Sequence, residues 1–206
     1  MLGYPAYRQE VHPGHLLQAF ALGQSAKGAI GVQWIDSANI DKARNKLLHT
    51  AIVKGCDWLL MCDADTYYPR APDILRMIGD ADARRAAVVA APVRLRNREG
   101  RNVYRITGGE YSQLRPEEYE GRLVDVEAIG TAFMAIRCGF VVTHMKRPWF
   151  QTVQTHEGPV ESVGEDLGFC ASVKTAGGTI LCDGRFEPAH VGTISESTGW
   201  SEVSRE

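Results

Sequence analysis

Two carboxylates one residue apart, at the end of an apolar run, are the first groups in this 206-residue chain whose type and spacing could do chemistry. The run is Trp58-Leu59-Leu60-Met61-Cys62, and Asp63 and Asp65 follow it with Ala64 between them. Open α/β sheets bind ligands beyond the carboxyl ends of their strands, and paired carboxylates there can hold a hard cation through oxygen. Such a cation neutralises a diphosphate and eases its departure as a leaving group. The spacing alone says little, and the chain carries its own control. Asp80-Ala81-Asp82 is the same triplet, but it follows a helical pattern over Asp73 to Ile78 and precedes Arg84 and Arg85, which puts it at a helix end in solvent. A solvated turn is the alternative reading of Asp63 and Asp65. Glu165 and Asp166 open a second helical pattern after Gly164, where the positive end of the helix dipole keeps carboxylates ionised; capping is the alternative there. His190, in Pro188-Ala189-His190-Val191-Gly192, is a candidate metal ligand or a structural histidine.

The elements that must position these groups follow from periodicity. Short apolar runs alternate with helical patterns over the first ninety residues, the signature of a parallel sheet flanked by helices. The reading is a strand near Leu2 to Ala6, a helix around His15 to Gln24, and a strand from Ile30 to Ile35. A helix carrying Ile40, Ala43, Leu47, Ala51 and Ile52 then ends at Gly55, where a left-handed residue is wanted. After the Trp58 to Cys62 strand, Pro69 and Pro72 open a helix with Ile74, Leu75 and Ile78, and Ala87 to Ala91 is a further strand. The second half predicts strands over Leu123 to Ala128 and Ala132 to Arg137, with mixed or antiparallel pairing and a break at Gly130. A helix from Glu165 to Thr175 ends at Gly177 and Gly178, and a strand covers Thr179 to Cys182.

Composition narrows the classes. A 44% hydrophobic chain of this length supports one buried core, and 23 basic against 25 acidic side chains exclude a surface that is basic throughout. No apolar stretch approaches the length of a membrane span, and Met1 to Glu10 lacks the features of a signal peptide, so a cytoplasmic protein is expected. The five cysteines form no C-x-x-C pair and lie in apolar surroundings, which predicts reduced core thiols.

Together with Ala43-Arg44-Asn45, these pieces resemble the GT-A glycosyltransferases, in particular the small family 2-like transferases of bacteria and phages. The matching segments are Pro5-Ala6-Tyr7, Ala43-Arg44-Asn45, Asp63-Ala64-Asp65, Gly130-Thr131-Ala132-Phe133-Met134, Glu165-Asp166 and His190. The resemblance implies a single α/β domain of GT-A type, Rossmann-like, with a mixed central sheet flanked by helices. That domain would span residues 1–192, and 193–206 would be a tail, mobile until ligand binds. It implies a nucleotide-diphospho-sugar donor, a UDP-sugar, with Mn2+ or Mg2+ as cofactor; a histidine ligand suits manganese better. Pro5, Ala6 and Tyr7 would line the base pocket, and Asp36 or Ser37 would reach base or ribose. Arg44 would face the nucleotide, its alternative being a helix-surface ion pair. Across the Asp63-Ala64-Asp65 triplet, Asp63 would contact ribose or metal, Asp65 would bind the metal directly, and His190 would complete the shell. Asp166 would be the general base of an inverting transfer, with Glu165 orienting the acceptor. Gly130 would admit the sugar or acceptor close to the backbone, a β-bulge being the alternative.

The acceptor side is read from charge. Arg84, Arg85, Arg94, Arg96, Arg98, Arg101 and Arg105 concentrate positive charge around the segment Val93 to Tyr104, which also carries Asn97 and Asn102. An anionic acceptor is expected, with Arg94, Arg96 and Arg98 contacting it; hydroxylated bases in DNA are the leading case and a solvated loop the alternative. A glycan or small-molecule acceptor, a sugar nucleotidyltransferase and a non-catalytic nucleotide- or carbohydrate-binding module are the competing readings. The nucleotidyltransferase is disfavoured because Pro5 to His15 supplies no Gly-rich phosphate loop.

Overall fold

The computed structural model describes residues 1–6, 14–25, 31–37, 39–68, 70–95, 99–107, 110–154 and 162–190. Tyr7, Pro69, Arg96, Arg98 and the tail after His190 lie outside the described residues.

The first half alternates strand and helix: β1 (Leu2–Ala6), α1 (Gly14–Ser25), β2 (Val32–Asp36), α2 (Ile40–Val53) and β3 (Trp58–Cys62). A two-residue strand β4 (Thr66–Tyr67), helix α3 (Ala71–Ala83) and strand β5 (Val88–Ala90) follow. The second half opens with a hairpin, β6 (Val103–Thr107) and β7 (Glu110–Gln113), then β8 (Leu123–Asp125), β9 (Ala128–Ile129), β10 (Phe133–Arg137) and α4 (Cys138–His144). It closes with β11 (Val153–Gln154), β12 (Ser162–Val163), α5 (Glu165–Thr175), β13 (Ile180–Asp183) and β14 (Ala189–His190).

Seven strands form the central sheet in the order β2-β1-β3-β10-β5-β13-β8. β1 pairs in parallel with β2 and β3, and β5 with β13; β10 is antiparallel to β3 and β5, and β8 to β13. The mixed sheet expected for the second half is therefore present. Both faces are covered, which is why β3 reads as an unbroken apolar run. Leu59 and Met61 pack into the cluster under α2 and α5, with Leu47, Leu48, Phe150 and Phe169. Leu60 and Cys62 pack on the other face with Ile74, Met77 and Ala81 of α3. Four of the five cysteines are buried and none is paired. Burial pushes the Cys138 and Cys170 thiols up to about 11 and about 12, so they stay protonated core groups.

Some boundaries differ from the sequence reading. α3 continues through Asp80-Ala81-Asp82, because Ala81 is a core residue and both carboxylates find cations. Asp80 pairs with Arg185 at 2.7 Å and Asp82 with Arg137 at 2.9 Å. The single strand expected over Leu123 to Ala128 is two. Val126 N–H donates to Ile180 and Glu127 N–H to Tyr104, so the chain crosses there from the central sheet to a small sheet of β7, β6 and β9. The segment from Val93 is not simply a solvated loop: Arg94 bridges Arg101, and Tyr104 lies in β6.

Candidate functional site

Because β1, β2 and β3 run in parallel, Pro5-Ala6, Asp36-Ser37 and Asp63-Ala64-Asp65 share one edge of the sheet. The residues after β3 turn back tightly, Thr66 N–H donating to the Asp63 carbonyl at 2.9 Å. Helix α1 fixes this turn from below with two buried polar residues one helical turn apart. His15 Nε2 lies 3.0 Å from the Ala64 carbonyl oxygen, and Gln18 accepts from Tyr68 N–H at 2.7 Å while donating to Cys62 Sγ at 3.2 Å. Neither residue figured among the sequence candidates. Their signal was present, as a polar pair at i and i+3 among the apolar residues that open the helix.

A cavity of about 290 Å³ opens at this edge, lined by Arg44, Asp63, Arg94, Asn102, Gly130, Glu165, Asp166 and His190 among others. The structure thus gathers residues from seven separate stretches of chain. Among the residues whose side chains are described, Pro5, Asp36, Ser37, Ala64 and Asp65 do not line it. Asp36 is exposed, and Ser37 Oγ accepts from Asn39 N–H at 3.2 Å just before α2.

Arg44 is neither turned freely to solvent nor part of a surface pair. It is 5% exposed, and its guanidinium bridges two carboxylates. Nη2 donates to Asp63 Oδ1 and Oδ2 at 2.8 and 3.1 Å, and Nη1 donates to Glu165 Oε1. The end of β3 is thereby tied to the start of α5. Its neighbour Asn45 serves the fold instead: it accepts from Trp149 and Phe150 N–H and donates to the Asp41 and Phe150 carbonyls, pinning that segment to α2.

Asp65 and His190 meet through a two-residue sheet. β14 pairs with β4 so that His190 stands opposite Thr66, and His190 Nε2 lies 3.4 Å from Asp65 Oδ2. His190 Nδ1 lies 2.9 Å from the Arg94 carbonyl and must donate to it, which makes Nε2 the nitrogen that bears the lone pair in a neutral ring. A lone pair facing a carboxylate calls for a proton or a cation between them, and a ligating histidine is held in just this way by its other nitrogen. Asp63, by contrast, is turned onto Arg44. Among the described residues, no group of three or more His, Cys, Asp and Glu side chains is gathered closely enough to hold a metal ion.

At the start of α5, Asp166 Oδ1 accepts from Leu167 N–H at 2.8 Å. A Cβ on Gly164 would come within 2.8 Å of that oxygen, so the glycine is what lets the carboxylate fold over the helix start. Of the arginines read as one cluster, those described are dispersed. Arg101 pairs with Glu187 and Arg105 with Glu118, while Arg84 and Arg85 precede β5 and so lie at the opposite end of that strand from Arg94.

No family model matches the chain, and no curated protein matches its sequence. Solved structures do. That of A197 from STIV superposes with a TM-score of 0.64 at 18% identity, over 92% of this chain and 84% of A197. S. aureus TarS 1–349 gives 0.48 at 12% identity, over 91% of this chain and 58% of TarS 1–349. CMP:2-keto-3-deoxy-manno-octonic acid synthetase complexed with CTP gives 0.47 at 10%, over 91% and 88%. At such identities the likeness to A197 is one of fold. The chain has a GT-A-like, Rossmann-type fold. No helix among the described residues is long and apolar enough to cross a membrane.

In this GT-A-like frame Gly130 has a reason other than a bulge or a substrate. A Cβ there would stand 2.5 Å from Asn102 Nδ2 and 2.9 Å from its Cβ, while Asn102 Oδ1 holds Val93 N–H at 2.8 Å. Gly130→Ala should therefore cost about 1–3 kcal/mol by overpacking and displace the Val93–Leu95 wall of the cavity. A urea midpoint equal to that of the wild type would contradict this packing account.

Proposed function

We propose that the protein is a metal-dependent glycosyltransferase that moves a sugar from a nucleotide-diphospho-sugar, a UDP-sugar, to a hydroxyl acceptor. The observation that carries the reading is the cavity at the carboxyl edge of the parallel strands, where carboxylates from a strand end and a helix start meet an imidazole. Domain limits of 1–192 with a tail over 193–206 belong to the same proposal.

Asp65 and His190 are the groups that would hold Mn2+ or Mg2+, and the donor set of one carboxylate and one imidazole fits manganese better. When bound, the cation neutralises the diphosphate and so stabilises the leaving group. Asp63 is fixed by Arg44 and offers its remaining acceptor capacity to the donor ribose or the cation. Pro5, Ala6, Asp36 and Ser37 would take the nucleoside, beyond the cavity on the same edge, and Tyr7, outside the described residues, is proposed to join them. Asp166 takes the proton of the acceptor hydroxyl as that oxygen bonds to the anomeric carbon, and the bond from that carbon to the phosphate oxygen breaks, releasing the nucleoside diphosphate. Glu165, held by Arg44, forms the adjoining wall and orients the acceptor. The stereochemical outcome of this single displacement is inversion. Gly130 and Arg94 line the acceptor side, and a hydroxylated base in DNA remains the acceptor proposed for that side.

The test is release of free nucleotide from a panel of UDP-sugars with manganese, with and without acceptor, for the wild type and Asp65→Ala. We expect the variant to lose the metal-dependent part of the rate by at least about tenfold. Tight binding of a nucleotide-sugar with no metal-dependent turnover of any donor would instead identify a binding module of the same fold.

A further inference from the structure

A second cavity, of about 580 Å³, lies on the outer face of α2 and is lined by Lys42, Asn45, Lys46, His49, Arg147, Pro148 and Trp149. Lys42, Lys46 and His49 recur at i, i+4 and i+7, so they form one stripe, and all three are exposed. Arg44, which lines the first cavity, is on the opposite side of the same helix. Among the described residues, no carboxylate lines the second cavity. The nearest one along the helix, Asp41, is engaged by Thr152, whose N–H and Oγ lie 3.1 Å from Asp41 Oδ2.

Beside this basic stripe stand flat groups. The Arg147 guanidinium lies 4.7 Å from the centroid of the Trp149 ring, and its Nη2 donates to His49 Nδ1 at 2.6 Å, leaving Nε2 of that ring to carry the proton. Guanidinium, imidazole and indole are thus held together at the rim, where the guanidinium offers a plane to a ligand ring. Lys42, Lys46 and, beside His49, Arg147 spread three cations over about two helical turns, which suits a chain of phosphates rather than one, and planar groups next to them suit bases. A lone phosphate needs neither the length nor the planes. A lipid headgroup would call for exposed apolar side chains to enter the bilayer, and Trp149 is only 6% exposed.

We propose that this cavity binds a single-stranded nucleic acid, with Lys42 and Lys46 on phosphates and the Arg147–His49 edge against a base. This site is separate from the arginine segment and from the proposed transfer site. A short run of contacts joins the two cavities: Trp149 lines the second, and its neighbour Phe150 stacks at 4.3 Å on Phe169 of α5, the helix that begins with Glu165 and Asp166.

The test uses the full chain without donor or metal, so its outcome does not depend on the transferase reading. Binding of a labelled oligothymidylate is followed by anisotropy across a salt series, for the wild type, for Lys42→Ala with Lys46→Ala, and for Arg147→Ala. The lysines are exposed helix positions where Ala keeps the helix, and a melting curve verifies it. Removing both should weaken binding on the order of tenfold and make the slope of log K against log salt shallower by about 1.4. An abasic strand of the same length should bind the wild type about tenfold more weakly than the normal strand, a difference that Arg147→Ala should erase. Wild-type affinity and slope in the double-lysine variant would overturn the site. Equal binding of normal and abasic strands would overturn the nucleic-acid assignment and leave a general polyanion surface, and no binding at low salt would overturn both.

Discussion

Asp166→Asn is expected to keep donor binding and lose transfer, with kcat falling about 10²–10⁴-fold and the donor KM little changed. The substitution is close to isosteric, and its geometry is defended locally. The amide oxygen can still accept from Leu167 N–H at the 2.8 Å now held by Oδ1, against a Gly164 that has no Cβ to displace it. Only the capacity to take a proton is lost. A Gly164→Ala variant supplies the complementary experiment: the carboxylate remains, but its rotamer is pushed away, so the same step should slow while the titrating group is retained. Steady-state rates with saturating acceptor, together with the anomeric configuration of the product, decide the matter. An Asp166→Asn enzyme within fivefold of wild type would remove this residue from the base role.

How much of this was legible in the sequence depends on the range of the interaction concerned. The run Trp58 to Cys62 announces a central strand because both its faces are buried, and the end of that run lies at the edge where the cavity opens. The control triplet Asp80-Ala81-Asp82 lies inside α3 and not at its solvated end, because the helix runs further than its apolar spacing shows and Asp80 and Asp82 are satisfied by Arg185 and Arg137 from distant segments. The hairpin of β6 and β7 leaves no clear period because it is only half-covered, with exposed Ile106 and Thr107 at its end. The β4–β14 pair is two residues long on each side, too short to leave any pattern, yet it is what brings His190 to Asp65. The character of Arg44 was the least legible of all. Its position on α2 is given by helical spacing, but its burial depends on Glu165, 121 residues away. The Arg44 and Asn45 of one triplet prove to do different work on different sides of the helix.

Arg44→Ala is expected to destabilise the folded chain by about 3 kcal/mol, a fall in Tm of about 6–12 °C. The size follows from what the substitution leaves behind. Asp63 and Glu165 have side chains 28% and 15% exposed, so two partly desolvated carboxylates would face one cavity with no cation between them. Full burial would set the cost near the top of the range for a broken buried pair; the solvent that reaches Asp63 keeps it at the lower end. If the uncompensated charge is the cause, then neutralising the partners should restore stability: Arg44→Ala with Asp63→Asn and Glu165→Gln should recover most of the lost Tm. A divalent cation should do the same in the single variant, so manganese should raise the Tm of Arg44→Ala by more than it raises that of the wild type. Differential scanning calorimetry on the three proteins, with and without manganese, reads all of this. An unchanged Tm in Arg44→Ala would show that the bridge carries no net stability. A triple variant as unstable as the single one would assign the loss to packing of the arginine stem against α2's neighbours rather than to charge.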